Sequence, residues 1–143
     1  MDKVEDVLKV KGAQVWSIAP EASVLEGLKL MAEKDVGALL VMSNGQPVGI
    51  FSERDYARKV ILLGLASKDT PVSAVLTRKV LCVSPERTIH ECMALMTDKH
   101  IRHLPVLDNG RVVGMVSIGD IVKALISQQK FIIRQLENYI VAG

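Results

Sequence analysis

The chain has 143 residues, of which 49% are hydrophobic, 24% charged and 3% aromatic, and its formal net charge is +2 with histidine neutral. This composition excludes a disordered chain and predicts a largely aliphatic core. The scarcity of aromatic residues argues against nucleic-acid binding by base stacking, and the small net charge does not support a DNA-binding surface.

The sequence gives no sign of export or membrane insertion. No apolar run follows the first residues in the manner of a signal peptide, and the longest apolar stretch, 60–66, is far shorter than the roughly 20 residues of a membrane span. We therefore expect a cytoplasmic protein in which Cys82 and Cys92 are reduced and buried.

The first half of the chain predicts a β-α-β-β-α series. Its elements are a strand over 15–18, a helix from Ser23, strands over 38–42 and 48–51, and a helix over 53–63. Ser23 with Glu26 three residues later is the pattern of a capping box, and Asn44-Gly45 favours a two-residue type I′ hairpin turn.

The second half predicts the same series after a linker over 66–71. Its elements are a strand over 80–83, a helix from Thr88 with Glu91 as the capping partner, strands over 104–107 and 112–116, and a helix over 118–127. Asn109-Gly110 repeats the hairpin turn. Both halves therefore predict one α/β (α+β) unit each.

The two halves are copies of one another. With Pro20 placed over Pro85, residues 15–60 align without a gap and about a third of the aligned positions are identical. Upstream, 4–8 resembles 72–76. We predict a first repeat with its lead-in over 1–65, a second repeat over 72–127 and a C-terminal helix over 128–143. Two copies indicate a pseudo-two-fold pair.

The pattern Gly-x-x-Ser-x-x-Asp ends the last strand of each repeat, over 49–55 and 114–120. One interpretation is helix capping, because Ser is a good N-cap and Asp favours the first turn of a helix. The other is a polyol site, since a carboxylate can accept hydrogen bonds from the two vicinal hydroxyls of a ribose and a helix N-terminus suits a phosphate. Both interpretations remain open at this point.

The order of elements, the duplication and the Gly-x-x-Ser-x-x-Asp endings resemble CBS domains, the family named after cystathionine β-synthase. The likeness covers 4–127, and the segments 51–56 and 116–120 look like the stand-alone bacterial type with two repeats. The resemblance implies two repeats packed through their sheets into one Bateman module. It also implies two clefts between the repeats that hold adenosine ligands such as AMP, ADP, ATP, NAD or S-adenosylmethionine.

The resemblance further implies roles for individual residues. Asp55 and Asp120 would hold ribose hydroxyls with Ser52 and Ser117 as companions. The other implied ligand contacts are Ile18 and Val83 for the base, Ser23 and Thr88 facing the phosphates, Arg54, Arg102 and His103 for phosphate charge, and Ala38 as the first-repeat counterpart of His103.

The two sites should therefore differ, because the second repeat has Arg102-His103 where the first has Gly37-Ala38. We expect phosphate-bearing ligands to depend more on Asp120 than on Asp55. Arg58-Lys59 could help to neutralise phosphate, but a solvated helix face is the favoured interpretation.

Other chemistry has weaker support. His90, Cys92, His100 and His103 lack the spacing of a metal motif, and no G-x-S-x-G nucleophile elbow occurs. We expect neither a metal nor a catalytic cofactor. Beyond 127, apolar residues at a helical period (Phe131, Ile132, Leu136, Tyr139 and Ile140) suggest a homodimer contact, although the stripe could equally cover the module's own edge.

The sequence therefore predicts a non-enzymatic sensor that binds an adenine nucleotide and reports it to a partner protein or to its own oligomer. The alternative is a structural protein-interaction module whose ligand clefts are vestigial. A small nucleotide hydrolase is disfavoured, because no base, nucleophile or metal cluster is recognisable.

Overall fold

The computed structural model describes residues 2–142. The chain divides into two compact units. The first-repeat unit is Val15–Leu81, and the second-repeat unit combines the segment up to Gln14 with the chain from Cys82 onward. Helices and small sheets are mixed in each unit, which confirms the predicted α/β (α+β) class.

The first-repeat unit contains the elements β1 (Ser17–Ile18), α2 (Val24–Lys34), β2 (Ala38–Ser43), β3 (Gln46–Ser52) and α3 (Glu53–Tyr56). β1 pairs in parallel with β2, and β2 pairs antiparallel with β3. Asn44 and Gly45 both have positive φ, as the predicted type I′ turn requires. Phe51 is fully buried and lies in the core that α2 and the sheet enclose.

The helix predicted over 53–63 is interrupted. α3 ends at Tyr56, and a π-helical turn follows over Ala57–Ile61, in which the Leu62 amide donates to the Ala57 carbonyl oxygen. The turn leaves Val60 fully buried, and Gly64 follows it with φ +71°. A positive φ of this kind is open to glycine and ends the helical path there.

The second-repeat unit contains α1 (Val4–Lys11), α4 (Ile89–Lys99), β4 (His103–Asp108), β5 (Arg111–Ser117) and α5 (Ile118–Ala142). β4 and β5 form an antiparallel hairpin around Asn109-Gly110. The strand predicted over 80–83 is reduced to one parallel bridge between Val83 and Val106.

α5 is a single helix of 25 residues, so the predicted helices over 118–127 and 128–143 form one element within the described residues. No proline or glycine interrupts it after Gly119. Ile121 and Ala124 are buried, whereas every described side chain from Gln129 to Ile140 is exposed. The first turns of α5 therefore pack on the unit, and the rest projects into solvent.

Each lead-in segment packs on the other repeat's hairpin. α1 lies on the second repeat, where a Cβ atom on Gly114 would fall 2.7 Å from Leu8 Cδ2. A 3₁₀ turn over Val72–Ala74 leads to Leu76, whose Cδ1 atom would lie 2.5 Å from a Cβ atom on Gly49 of the first repeat. The lead-in predicted as part of the first repeat thus belongs to the second-repeat unit. At Gly49 the close neighbour includes the Thr77 backbone, so this position in particular favours glycine.

Among the described residues, no helix combines the length and apolar character needed to cross a membrane.

Candidate functional site

Both Gly-x-x-Ser-x-x-Asp segments form capping boxes. The Ser52 hydroxyl accepts a hydrogen bond from the Asp55 amide at 3.1 Å, and Oδ2 of Asp55 accepts one from the Ser52 amide at 3.0 Å. Ser117 and Asp120 repeat the arrangement at 3.1 and 2.8 Å. The capping interpretation is confirmed in both repeats, but the boxes leave different acceptor atoms available.

In the first-repeat unit the carboxylate of Asp55 is fully occupied. Oδ2 also accepts from the Ser52 hydroxyl at 3.0 Å, while Oδ1 accepts from Thr77 Oγ1 at 2.9 Å and lies 3.0 Å from the Lys59 ammonium. Asp55 is 6% exposed. Four contacts match the roughly four lone-pair sites of a carboxylate, which leaves no free acceptor for a ribose hydroxyl.

In the second-repeat unit the carboxylate of Asp120 makes fewer hydrogen bonds than that of Asp55. Oδ2 accepts from the Ser117 amide and from Lys11 Nζ at 2.6 Å. Within residues 2–142 no hydrogen bond reaches Oδ1. The side chain is 19% exposed, which is more than twice the value for Asp55. Asp120 therefore presents a fixed carboxylate with one open oxygen.

Lys11 is the site residue that the sequence analysis missed. It lies at the end of α1, and its Nζ atom donates to the Met115 carbonyl oxygen at 2.8 Å as well as to Asp120. It is 109 positions away from Asp120 in sequence, and no local motif marks it. The only available signal was the match of 4–8 with 72–76, which identifies the lead-in as part of the repeat.

The charges around Asp120 shift two pKa values. Burial alone would raise the pKa of Asp120, but the Lys11 ammonium and the amide and hydroxyl of Ser117 outweigh it and lower that pKa. Burial lowers the pKa of His103, and the charge of Lys11 lowers it further. His103 is therefore neutral at pH 7. It is the cross-strand partner of Ser117, which places it at the same end of the hairpin as the capping box.

The remaining predicted contacts are distributed over both units. Ser23 and Thr88 cap α2 and α4, and their hydroxyls accept from the amides of Glu26 and Glu91. These capping predictions are confirmed, whereas a role facing phosphates stays a prediction. Arg54 and Arg102 are exposed.

The predicted base contacts and their neighbours occupy strand positions. Ile18 is half-buried in β1 against the core, and Val83 is buried at its bridge to Val106. Ala38 is buried and pairs with Ser52, as its counterpart His103 pairs with Ser117.

Lys59 corrects the expectation of a solvated helix face. Arg58 is exposed, as expected, but the Lys59 ammonium contacts Oδ1 of Asp55 and donates to the Val75 carbonyl oxygen at 3.2 Å. The reason is positional, because Lys59 lies four residues after Asp55 and faces it along the helical turn.

A separate pocket of about 450 Å³ lies in the second-repeat unit, lined by Cys82, Val83, Arg87, Glu91, Cys92, Ala94, Leu95 and Asp98. Both thiols are free, and Cys82 is exposed rather than buried because the predicted strand around it does not form. Burial raises the pKa of the Cys92 thiol to about 11, and partial desolvation raises the pKa of the more exposed Cys82 thiol as well. Neither thiol therefore has the low pKa of a reactive cysteine.

Among the described residues, no three His, Cys, Asp or Glu side chains are grouped to hold a metal ion.

Comparison with known proteins identifies the family. The model of the CBS domain matches residues 4–62 and 72–127. The CBS domain-containing protein CBSX3 of Arabidopsis thaliana, named as mitochondrial, is 38% identical over 98% of this chain and 72% of its own length. YhcV of Bacillus subtilis, also named as a CBS domain-containing protein, is 31% identical over 85% of this chain and 84% of its own.

Solved structures agree with the sequence comparisons. A protein with CBS domains from Burkholderia ambifaria superposes with a TM-score of 0.86 at 47% identity, covering 89% of this chain and 96% of its own. A CBS-domain containing protein from Agrobacterium tumefaciens gives 0.82 at 37% identity, covering 86% and 92%. Two sequence repeats, two matches to one domain model and these structural relatives lead to the same conclusion: the chain belongs to the CBS domain family as a tandem pair of repeats.

Proposed function

We propose that this protein is a regulatory module that binds an adenine nucleotide such as AMP, ADP, ATP or NAD, and that Asp120 holds the ribose of that ligand. CBS-domain proteins are generally regulatory modules that bind adenosine ligands. The observation that carries the proposal for this chain is the partly exposed carboxylate of Asp120, whose Oδ2 atom is fixed by Ser117 and Lys11 while no hydrogen bond among the described residues reaches Oδ1.

The geometry supports a hydroxyl ligand for two reasons. An ionised carboxylate is an acceptor only, so the open oxygen requires a donor such as a ribose hydroxyl. The bonds to Oδ2 hold the side chain in one orientation before a ligand arrives, which reduces the entropy lost on binding. Charge-assisted hydrogen bonds of this kind each contribute roughly 1.5–3 kcal/mol.

The first repeat supports a different role for Asp55. Its carboxylate is buried and saturated by Ser52, Thr77 and Lys59, so a ribose would have to displace contacts that already exist. This favours, for the first repeat alone, the alternative function of a structural module with a vestigial ligand site. We therefore propose that one strong adenosine site depends on Asp120.

Calorimetric titration tests the proposal. Wild-type protein, Asp120→Asn and Asp120→Ala are titrated with AMP, ADP, ATP and NAD, with Asp98→Asn as a control on the exposed face of α4. Removing one charge-assisted hydrogen bond should weaken binding about tenfold or more in both Asp120 variants and leave the control unchanged. Unchanged affinity in folded Asp120→Ala would refute the ribose assignment, and a wild type that binds none of the four ligands would favour the structural module.

We further propose that the module acts as a homodimer through α5 and catalyses nothing itself. The matching model is that of a CBS domain, and two related CBS-CP12 structures are described as hexameric, which supports assembly as a mode of action. Apolar side chains on the projecting part of α5, namely Phe131, Ile132, Ile133, Leu136, Tyr139 and Ile140, are all exposed. A second copy or an effector protein would then receive the ligand signal.

The proposed location is the cytoplasm, where an adenine nucleotide is available and free thiols persist. The mitochondrial name of the Arabidopsis relative offers the alternative of an organelle. Fractionation of cells that produce the full protein distinguishes the two.

A further inference from the structure

We infer that α5 pairs antiparallel with α5 of a second copy, through one seam of the helix and in one register. The inference rests on the homodimer proposed above and specifies the face, the direction and the register of its contact. The seam consists of six residues on one side of α5, namely Val122, Ile126, Gln129, Ile133, Leu136 and Ile140.

The seam has the spacing of a coiled coil. Its members recur at alternating intervals of four and three residues, which is the repeat of the d and a positions of a heptad. Isoleucine fills all three a positions, and the d positions hold valine, glutamine and leucine in chain order. Such a repeat keeps the seam turned toward a neighbouring helix along its whole length. The occupant that fits is a helix with the same repeat, and α5 of a second copy meets that requirement.

The seam faces away from the unit that carries α5. Its five apolar side chains are 40–76% exposed. α5 packs on the unit through the buried Ile121 and Ala124, and through Gln128, whose side chain lies 3.0 Å from His90 Nε2 and donates to Asp2 at 2.6 Å. At about 100° of rotation per residue, these three positions point about 130° away from the seam. The described part of the unit therefore leaves the seam uncovered.

The residues beside the seam determine the direction of pairing. Apolar residues precede the a positions, namely Leu125, Ile132 and Tyr139. Charged residues follow the d positions, namely Lys123, Lys130 and Glu137. A parallel pair sets each apolar flank against the partner's charged flank, whereas an antiparallel pair sets like flank against like. The antiparallel pair therefore buries the apolar flanks together and keeps the charged flanks in solvent.

Charge complementarity determines the register. When Gln129 lies opposite the partner's Ile133, Lys123 lies beside the partner's Glu137, and the two-fold axis repeats this pair at the other end. The overlap then spans the whole seam, about 27 Å in length. Lys130 meets the partner's Lys130 at the centre, where both ammonium groups extend into solvent. Gln129 is the one polar residue of the seam, and a single polar residue in such a seam restricts the register.

Phe131 lies outside the seam although it is apolar and exposed. Its side chain is 63% exposed, close to the 59% of Leu136. Phe131 follows Ala124 by seven residues, so it continues the face that packs on the unit and points about 180° away from the seam. Phe131 should therefore not contribute to the pairing, and it provides a matched control for the seam residues.

Sedimentation equilibrium of the full chain compares the wild type with Ile133→Glu and Phe131→Glu. Both variants place the same charge at exposed positions of one helix, and circular dichroism checks that both are folded. We expect Ile133→Glu to weaken dimerisation at least about a hundredfold, because the carboxylate would be buried without a partner. Phe131→Glu should stay within about threefold of the wild type. An unaffected Ile133→Glu, or a Phe131→Glu that dissociates as readily, would overturn the inference.

Exchange of charges tests the direction and the register. Lys123→Glu and Glu137→Lys should each weaken the dimer about two- to tenfold, because each places like charges together at both ends of the overlap. The double variant Lys123→Glu/Glu137→Lys should regain the wild-type affinity. The two positions lie about 21 Å apart on one helix, so the recovery has to come from the partner. Additive losses in the double variant would contradict the antiparallel register.

The failures of the two proposals are distinguishable. A wild type that is monomeric at high micromolar concentration would refute the proposed homodimer, and the inference with it. A wild type that dimerises, together with a disruptive Phe131→Glu or a double variant without recovery, would overturn the seam and its register and leave the homodimer intact.

Discussion

Lys11 Nζ donates to Oδ2 of Asp120 across 2.6 Å, although 109 positions separate the two residues. The contact exists because α1 docks on the second repeat, where the Val4 and Glu5 amides donate to the carbonyl oxygens of Arg87 and Pro85. The lead-in of the second repeat docks in the same manner on the first, where the Val72 and Ser73 amides donate to the carbonyl oxygens of Ala22 and Pro20. Each capping-box aspartate thus contacts a lead-in that comes from the other repeat's sequence.

The two close glycine contacts should respond differently to alanine. In Gly49→Ala the new Cβ atom would fall 2.6 Å from the Thr77 carbonyl oxygen, which is backbone held in a bridge, as well as 2.5 Å from Leu76. In Gly114→Ala it would meet only the side chain of Leu8, which can rotate. Overpacking costs about 1–3 kcal/mol, and we expect Gly49→Ala near the upper end and Gly114→Ala near the lower. Urea denaturation of both variants measures the difference, and equal losses would contradict the explanation.

The two aspartates should differ in their contribution to folding stability. Asp55→Ala removes the helix cap together with the contacts of Thr77 and Lys59, whose side chains reach solvent, and we expect a loss of up to about 2 kcal/mol in the free energy of unfolding. Asp120→Ala removes a capping contact at a partly exposed position and should cost about 1 kcal/mol. Denaturant titration in the absence of nucleotide checks this order. If Asp120→Ala is less stable than Asp55→Ala, the additional contacts of Asp55 contribute little to the free energy of unfolding.

Stability should fall on the acid side of neutrality because of His103. Its folded-state pKa is lowered, so the unfolded chain binds a proton more readily than the folded one does. The contribution is fully present above the unfolded pKa of about 6.5 and is lost as the pH falls to the lower folded value. Melting curves of wild type and His103→Gln at a series of pH values test this. The variant should lose less stability than the wild type over that window, and parallel curves would exclude His103 as the cause.

Removal of Lys11 should change the titration of Asp120. The Lys11 ammonium is the strongest of the contacts that lower the pKa of this carboxyl against the opposing effect of burial. In Lys11→Met we therefore expect that pKa to rise, while Lys9→Met leaves it unchanged. Carboxyl-carbon NMR of Asp120 across acidic pH measures it directly. An unchanged pKa in Lys11→Met would show that the ion pair does not persist in solution.

The projecting part of α5 should control assembly. Leu136 is exposed on the apolar stripe, and a charge placed there would be buried without a partner in a helix–helix contact. Leu136→Glu should shift the protein from dimer to monomer in sedimentation equilibrium, whereas Lys130→Glu, an exposed change on the same helix, should retain the dimer. A wild type that is monomeric at high micromolar concentration would refute the homodimer itself.

The sequence by itself determined the duplication, the fold class, the two Asn-Gly turns and the four capping boxes at Ser23, Ser52, Thr88 and Ser117. These features depend on residues within a few positions of one another, and hydrogen bonds to near neighbours are encoded in local spacing. The family followed from the same local patterns.

Tertiary structure largely decided which aspartate keeps an open oxygen. Asp55 and Asp120 stand in the same motif, but their environments are completed by Thr77 and Lys59 in one case and by Lys11 in the other. Thr77 and Lys11 come from lead-in segments that are distant in sequence and docked on the opposite repeat. Such long-range contacts depend on how the chain packs, so among the contacts that distinguish the two aspartates only that of Lys59, four residues after Asp55, could be read from local spacing.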